Sequence, residues 1–310
     1  MAQQPYDMRD RTCLVTGATS GIGRETALSL ARSGAQVLIV ARDRRRGETT
    51  ASDISAAAAS PGSVQLFVAD LASQQDVRDL AHQVSEGHER LDVLVHNAGA
   101  VNRERRVTVD GIEATLAVNH LAPFLLTELL APLLHATAGS RVVTVSSYMH
   151  TRVKQIPWDD LQSEHAYSAA ATYNLTKLMN LLFTYELAQR WARHTTTANA
   201  LHPGWPLKTN LGREQTGPAA IFDRATKLLG SSAAKGAQTS LYLAGSPDVA
   251  ALTGQYFARC KPAKSSALSR DAAARQRLWA ASAELSATQA QTPVAEASAG
   301  PHPRRPMRSR

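Results

Sequence analysis

One stretch limits the fold more than any other. Thr12-Cys13-Leu14-Val15-Thr16 reads as a short buried strand, and Gly17-Ala18-Thr19-Ser20-Gly21-Ile22-Gly23 follows it directly. Arg24 to Arg32 then has helical composition, stopping at Ser33-Gly34, and Gln36 to Ala41 is a second apolar strand. Strand, glycine turn, helix and strand in this order form a βαβ unit, whose crossover is right-handed. Such a turn lets backbone N–H groups and a helix N-terminus meet a pyrophosphate. Gly17 serves the tight turn, Gly21 the close approach and Gly23 the packing of helix on strand. The spacing is G-x-x-x-G-x-G rather than G-x-G-x-x-G.

The alternation continues along the chain. Helices are expected at Arg44–Ala59, Gln75–His88, within Val109–Ala136 and at Thr172–Arg193. Strands are expected at Val64–Ala69, Leu91–His96, Arg141–Val145, Thr197–Leu201 and Gln255–Ala258. Apolar strands separated by helices indicate a parallel sheet covered on both faces. The expected fold is therefore α/β: a Rossmann-type doubly wound parallel sheet in a single domain over residues 9–260. In such sheets function gathers at the carboxyl ends of the strands, where Asp70, Asn97, Ser147 and Pro203-Gly204 fall. The irregular stretch 204–235 reads as a mobile substrate cover. A C-terminal extension, 261–287, holds an amphipathic helix with Leu278, Trp279 and Leu285. The Ala/Ser/Thr/Pro/Arg composition of 288–310 suggests a disordered basic tail.

Composition narrows the classes. The chain has 310 residues, of which 44% are hydrophobic and 19% charged, as in ordinary globular proteins. Its two cysteines, Cys13 and Cys260, form no C-x-x-C pair, so neither a disulfide framework nor a metal site is implied. Together with a polar start lacking a signal peptide's apolar region, this suggests a cytoplasmic setting. The most apolar stretch, Leu121 to Leu134, contains Glu128 and two prolines and looks too short to span a bilayer, so no integral membrane segment is expected. In the last 23 residues four arginines stand against one glutamate, leaving +3 of the net +8. The rest is spread thinly, without a basic–aromatic run, so no nucleic-acid partner is expected.

The candidate chemistry lies in Tyr173-Asn174-Leu175-Thr176-Lys177. Residues four apart share a helix face, and a nearby ammonium favours a phenolate. Combined with Thr16–Gly23, Asn97-Ala98-Gly99, Ser147 and Pro203-Gly204, the pattern resembles the short-chain dehydrogenase/reductase superfamily over roughly residues 9–260. Ile156-Pro157-Trp158-Asp159-Asp160-Leu161, Val118-Asn119-His120 through Thr127, and His202-Pro203-Gly204 are similar to the retinol dehydrogenase-like branch.

The resemblance implies Tyr173 as acid or base, with Lys177 lowering its pKa and holding the nicotinamide ribose. It implies Ser147 as donor to the substrate oxygen, with Ser146 the neighbouring alternative, and Asn119 as the holder of a water linking Lys177 to solvent. For the cofactor it implies Gly17, Ser20, Gly21, Ile22 and Gly23 at the pyrophosphate, and Asp70 and Leu71 at the adenine. Asn97 and Gly99 would lie near the inner ribose, and Tyr173, Lys177, Pro203 and Gly204 at the nicotinamide end. His96 stands where many members have asparagine. Thr209 follows Pro203-Gly204 one residue later than usual, with Lys208 in the usual place. Trp205 either lines a substrate pocket or packs the cover.

Charge points to NADP rather than NAD. Ala41 fills the position of an acid that would bind a ribose hydroxyl, and Arg42 follows, with Arg45 and Arg46 close by. Asp43 is the residue that could still serve NAD. The expected activity is interconversion of an alcohol and a carbonyl on a lipophilic small molecule. A non-catalytic NADP-binding regulator is the alternative, against which the complete Ser147/Tyr173/Lys177 set argues. A dehydratase or epimerase would usually carry a larger C-terminal domain. A homodimer through the helices beginning near Val109 and Thr172 is possible by the resemblance.

Overall fold

The computed structural model describes residues 6–60, 62–204 and 232–287. The expectations for Trp205, Lys208 and Thr209, for most of the cover and for the tail 288–310 lie outside the described residues.

Eight strands form one sheet: β1 (Thr12–Thr16), β2 (Gln36–Ala41), β3 (Val64–Val68), β4 (Val93–His96), β5 (Arg141–Val145), β6 (Thr197–His202), β7 (Gln255–Ala258) and β8 (Lys261–Pro262). Their spatial order is 3-2-1-4-5-6-7-8. All pairings are parallel except β7 with the two-residue β8. The order reverses between β1 and β4, which opens a crevice above their carboxyl ends.

The strands bury both faces in alternation. Leu14, Leu38, Leu94 and Val142 face a cluster made with α3 (Gln74–Gly87), α5 (Ala122–Ala136) and α6 (Ala169–Arg190). Cys13, Val15, Val37, Val93 and Val143 face the other way, onto α1 (Gly21–Arg32), Ile54 of α2 (Arg44–Ser55) and α7 (Ala233–Gly245). This two-residue period within continuously apolar strands is what a doubly covered parallel sheet requires. β3 departs from it, with Gln65 and Val68 exposed, because it is an edge strand.

Two helix boundaries differ from expectation, each for a local reason. α2 ends at Ser55 rather than near Ala59, and the Ala59 N–H turns back to the Ala31 carbonyl at 3.0 Å. The helix expected from Val109 starts instead at Ala114. Thr108–Ile112 is a tight turn, with Thr108 N–H to the Ile112 carbonyl at 2.8 Å. Glu113, fully buried, accepts the N–H groups of Thr115 and Leu116 at 2.9 and 2.7 Å and so caps the helix.

From there α4 (Ala114–Leu116), a π-helical turn (Ala117–Leu121) and α5 run on as one helix. It spans 23 residues, so the expectation that this stretch is too short for a bilayer does not hold by length. Two thirds of its most apolar window (67%) is buried in the molecule, as befits a core helix.

The C-terminal extension forms α8 (Ala267–Arg270) and α9 (Ala272–Ala287). α9 lies on α5 and α6: Trp279 meets Phe124 edge-on at 5.0 Å and stacks on Phe183 at 6.0 Å. His120, in the π turn, meets Ser282 at 2.8 Å. The helices from which the sequence suggests a homodimer are thus covered along this line by the same chain.

At the amino ends of the strands, Asp92 joins β1 to β4. Its side chain is 1% exposed and accepts from Arg11, Arg90 and the Thr12 N–H, each at 2.8–2.9 Å. Burial pushes its pKa up, but the Arg90, Thr12 and Arg11 hydrogen bonds outweigh that and hold it below the ordinary range. Asp92→Ala should therefore lose about 1–3 kcal/mol of stability near neutral pH, the arginines being half exposed. A depressed carboxylate stabilises above its unfolded pKa and ceases to as pH falls through its folded value. Urea melts of the two proteins should accordingly converge in acid.

Candidate active site

The glycine turn is built against the end of β4. Thr16 Oγ1 accepts the N–H groups of Asn97 and Ala98, both at 3.1 Å. The Asn97 amide returns two bonds, to the carbonyls of Thr16 (3.0 Å) and Gly17 (3.2 Å). These ties bring the backbones so close that a Cβ on Gly17 would lie 2.8 Å from Ala98 Cα. On Gly23 it would lie 2.3 Å from both the Gly17 carbonyl and Asn97 Nδ2. Gly17 and Gly21 also hold φ of +65° and +56°, the region glycine favours.

Gly21 differs from its neighbours. A Cβ there would meet nothing within 4 Å, so the turn opens outward at that point. Ser20, at the N-cap of α1, makes no side-chain cap to the helix, and Ile22 is buried beneath it. The first N–H groups of a 12-residue helix, beside an open glycine, match what a dinucleotide pyrophosphate needs. The residues present fit that group.

The second strand leads to Arg42, which is exposed, while Ala41 is buried. Asp43 caps α2, accepting the Arg46 N–H at 2.7 Å. Its carboxylate is therefore engaged with the helix. Arg45 and Arg46 are exposed on the first turn of α2. Past β3, Asp70 accepts the Ala72 N–H at 2.9 Å and gives its own N–H to Asp76 at 2.8 Å, which fixes the loop. Leu71 packs on the core beside it. Gly99 is exposed just beyond Asn97. At the end of β6, Pro203 and Gly204 are half-buried, and Gly204 holds φ +106°.

Above the end of β5 three side chains converge from separate elements. Ser147 caps a 3-10 turn (Tyr148–Arg152), its Oγ accepting the Met149 N–H at 3.2 Å. Tyr173 and Lys177 stand one turn apart on α6, with Lys177 Nζ 5.5 Å from the Tyr173 ring centre. Burial raises the Tyr173 pKa, and a hydrogen bond with Ser147 lowers it. Ser147 thus adds a lowering influence on the phenol beside the nearby Lys177 ammonium. The ammonium of Lys177, 3% exposed, donates to the Val145 carbonyl at 3.0 Å. Burial pushes its own pKa down to about 8.

Ser146 takes a different part. Its Oγ donates to the Lys177 carbonyl at 2.7 Å and its N–H to Leu201, so it ties β5 to α6 and β6. Asn119 is fully buried in the π turn, a distortion that often accompanies functional sites. It accepts the Ala100 N–H (2.7 Å) and donates to the Ala100 carbonyl (3.0 Å) and Thr176 Oγ1 (3.1 Å). It therefore joins the chain beyond Gly99 to the residue before Lys177. His96 meets Thr127 at 2.7 Å and is buried, with its pKa pushed down to about 3 by burial. It ties β4 to α5 as a neutral ring.

Sequence reasoning missed several supporting groups. Thr16 stands at the strand end immediately before the glycine turn, a position from which a hydroxyl can reach the neighbouring strand. Thr176, between Tyr173 and Lys177, donates to the Tyr173 carbonyl at 2.8 Å while receiving Asn119. His150 and His202 flank the Ser147 turn. His202 Nδ1 accepts the Tyr148 N–H at 3.3 Å, and burial first, then His150 and Arg259, push its pKa down to about 4.

Comparison with known proteins identifies the family. The profile of the short chain dehydrogenase family matches residues 11–218. Retinol dehydrogenase 14 of Mus musculus is 40% identical over 287 residues, covering 89% of this chain and 85% of its own. A protein of Streptomyces sp. (strain C5), described as a candidate daunorubicin C-13 ketoreductase, is 40% identical over 274 residues, covering 88% and 91%. Among solved structures, the Pseudomonas aeruginosa RhlG/NADP active-site complex superposes with a TM-score of 0.65 at 28% identity, covering 82% and 97%. The chain belongs to the short-chain dehydrogenase/reductase superfamily, in its retinol dehydrogenase-like branch, and is an oxidoreductase of that family.

Proposed function

We propose that this oxidoreductase uses NADPH or NADP⁺ to interconvert an alcohol and an aldehyde or ketone on a lipophilic small molecule, with Tyr173 as acid and base. The convergence of Ser147, Tyr173 and Lys177 above the end of β5, at the same edge of the parallel sheet as the opened glycine turn, carries this reading. Bound nicotinamide supplies hydride for reduction or accepts it in oxidation. Ser147 orients the substrate oxygen and lowers the phenol by its hydrogen bond. Tyr173 gives its proton to the forming alkoxide, or removes it from an alcohol in the reverse direction. Lys177 is held by Val145 beneath the phenol and carries its charge at neutral pH, favouring phenolate once the proton has left. Asn119 keeps the Ala100 backbone and Thr176 in register under that pair. Asn97 supports the cofactor through the glycine turn it braces.

Arg42 supports the choice of NADP, since an exposed guanidinium suits a 2′-phosphate and Asp43, the competing acid, is engaged as a helix cap. The RhlG complex with NADP points the same way. The names of the relatives, a retinol dehydrogenase and a candidate daunorubicin C-13 ketoreductase, favour an alcohol or carbonyl on a bulky small molecule.

Purified protein, NADPH and a panel of carbonyls including all-trans-retinal and daunorubicin should give falling absorbance at about 340 nm, the reduced-nicotinamide band. Tyr173→Phe should lower kcat by about 10²–10⁴-fold while leaving NADPH affinity near wild type. Tight NADPH binding with no turnover across the panel would instead favour the non-catalytic regulator. Because Lys177 is charged below a pKa of about 8, reduction measured as kcat/KM for NADPH should fall as pH rises through that value. Arg42→Ala should weaken NADPH about ten-fold or more, the scale of a lost charge-assisted bond, and barely change NADH. Equal losses in calorimetric titrations would contradict the 2′-phosphate assignment.

A further inference from the structure

Ser147 is not held by its own strand alone. Its carbonyl accepts both the backbone N–H of His150, at 3.2 Å, and the His150 ring at Nδ1, at 2.7 Å. The ring's other nitrogen, Nε2, accepts the backbone N–H of Ser266 at 3.1 Å. An amide N–H cannot accept, so Nε2 carries the lone pair and the proton sits on Nδ1. Both partners thereby select one neutral tautomer, in a side chain that is fully buried. Tyr256 closes one side of the ring edge-on at 5.2 Å, and His202 lies near enough to repel a second positive charge.

Ser266 begins α8, in the segment beyond the last strands. That segment is anchored in turn to α6: the Tyr185 hydroxyl donates to Ser265 Oγ at 2.9 Å, and Ser269 Oγ donates to the same oxygen at 2.8 Å. A continuous set of hydrogen bonds thus runs from the C-terminal extension, through one imidazole, to the backbone of the serine that lowers the Tyr173 phenol.

We propose that His150 is a positioning residue, which fixes Ser147 against Tyr173 by clamping its carbonyl to the Ser265–Arg270 segment. This rests on the reading of Ser147 and Tyr173 given above. The clamp explains why a chain whose cofactor fold is complete at β7 orders a further segment beside the site. It gives the C-terminal extension a part in setting the proton-transfer geometry.

The decisive readout is the ionisation of Tyr173 itself, measured in full-length protein as phenolate absorbance against pH, with the Tyr173→Phe spectrum subtracted. Ser147→Ala should move this titration to higher pH, because it removes the lowering hydrogen bond. His150→Ala should move it the same way by a smaller amount, and lower kcat with NADPH and all-trans-retinal about five- to ten-fold, with NADPH affinity retained. His150→Gln, which still offers a donor and an acceptor, should recover part of both. Ser266→Pro tests the clamp without touching the ring. It deletes the N–H at a residue whose φ of −61° already suits proline. Ser266→Ala measures the share owed to the lost Ser266 hydroxyl cap on Ser269, and the proline's additional shift belongs to the donor. This pair decides the matter even where His150→Ala does not fold. A lowered melting temperature with the Tyr173 titration and kcat both unchanged would make His150 merely structural and overturn the proposal. A Tyr173 titration unmoved by Ser147→Ala would remove the reading of the site itself.

Discussion

The bracing of the glycine turn against the end of β4 is the constraint on which the rest of the site depends. β1 and β4 are neighbours because the strand order reverses between them. Thr16 and Asn97 exchange bonds across that junction, fixing the backbone around Gly17 and leaving Gly21 facing outward. Only glycine fits at positions 17 and 23, where a Cβ would drive into backbone. The helix that follows then presents its first N–H groups to the crevice, and the chain beyond Asn97 passes directly to Ala100, which Asn119 grips. The proposed phosphate cradle and proton-transfer group are thereby referred to one junction.

The second half of the site is assembled from elements distant in sequence by backbone carbonyls rather than by side-chain pairs. Lys177 is positioned by Val145, Ser146 by the Lys177 carbonyl, and Ser147 by His150. Two of these ties join β5 and its extension to α6 and the third joins the extension to the His150 turn, so that no single loop determines where Ser147 and Tyr173 meet. Burial raises the phenol and lowers the ammonium, so it drives the two values apart, each group toward its neutral form.

The sheet was legible because its strands announce themselves twice, by continuous apolar sequence and by the turn chemistry that ends them. Site residues at strand ends, such as Asn97 and Ser147, were legible for the same reason. Other features were not. The start of the long helix at Ala114 depends on a buried Glu113 capping its own N–H groups, which hydropathy does not register. The tyrosine and lysine spacing suggested that the ammonium governs the phenol. Spacing does not show the two ties that the fold adds, from Nζ to the Val145 carbonyl and between Ser147 and the phenol. His150, three residues past Ser147, has no periodic or motif signal, because its partners lie at Ser147 and at Ser266, 116 residues away. Contacts of that range exist only once the sheet has closed.

The proposed reaction requires that this chain move hydride to a carbonyl carbon while Tyr173 moves the proton. The most direct measurement is mass spectrometry of the alcohol formed from a carbonyl such as all-trans-retinal, using NADPH deuterated on the transferable face of C4. The wild-type protein should give an alcohol carrying one deuteron on the former carbonyl carbon, and Tyr173→Phe should lose nearly all of it under saturating cofactor. Full label transfer by Tyr173→Phe, or deuterated NADPH held unchanged by the wild type across a broad set of aldehydes and ketones, would contradict the proposed reaction.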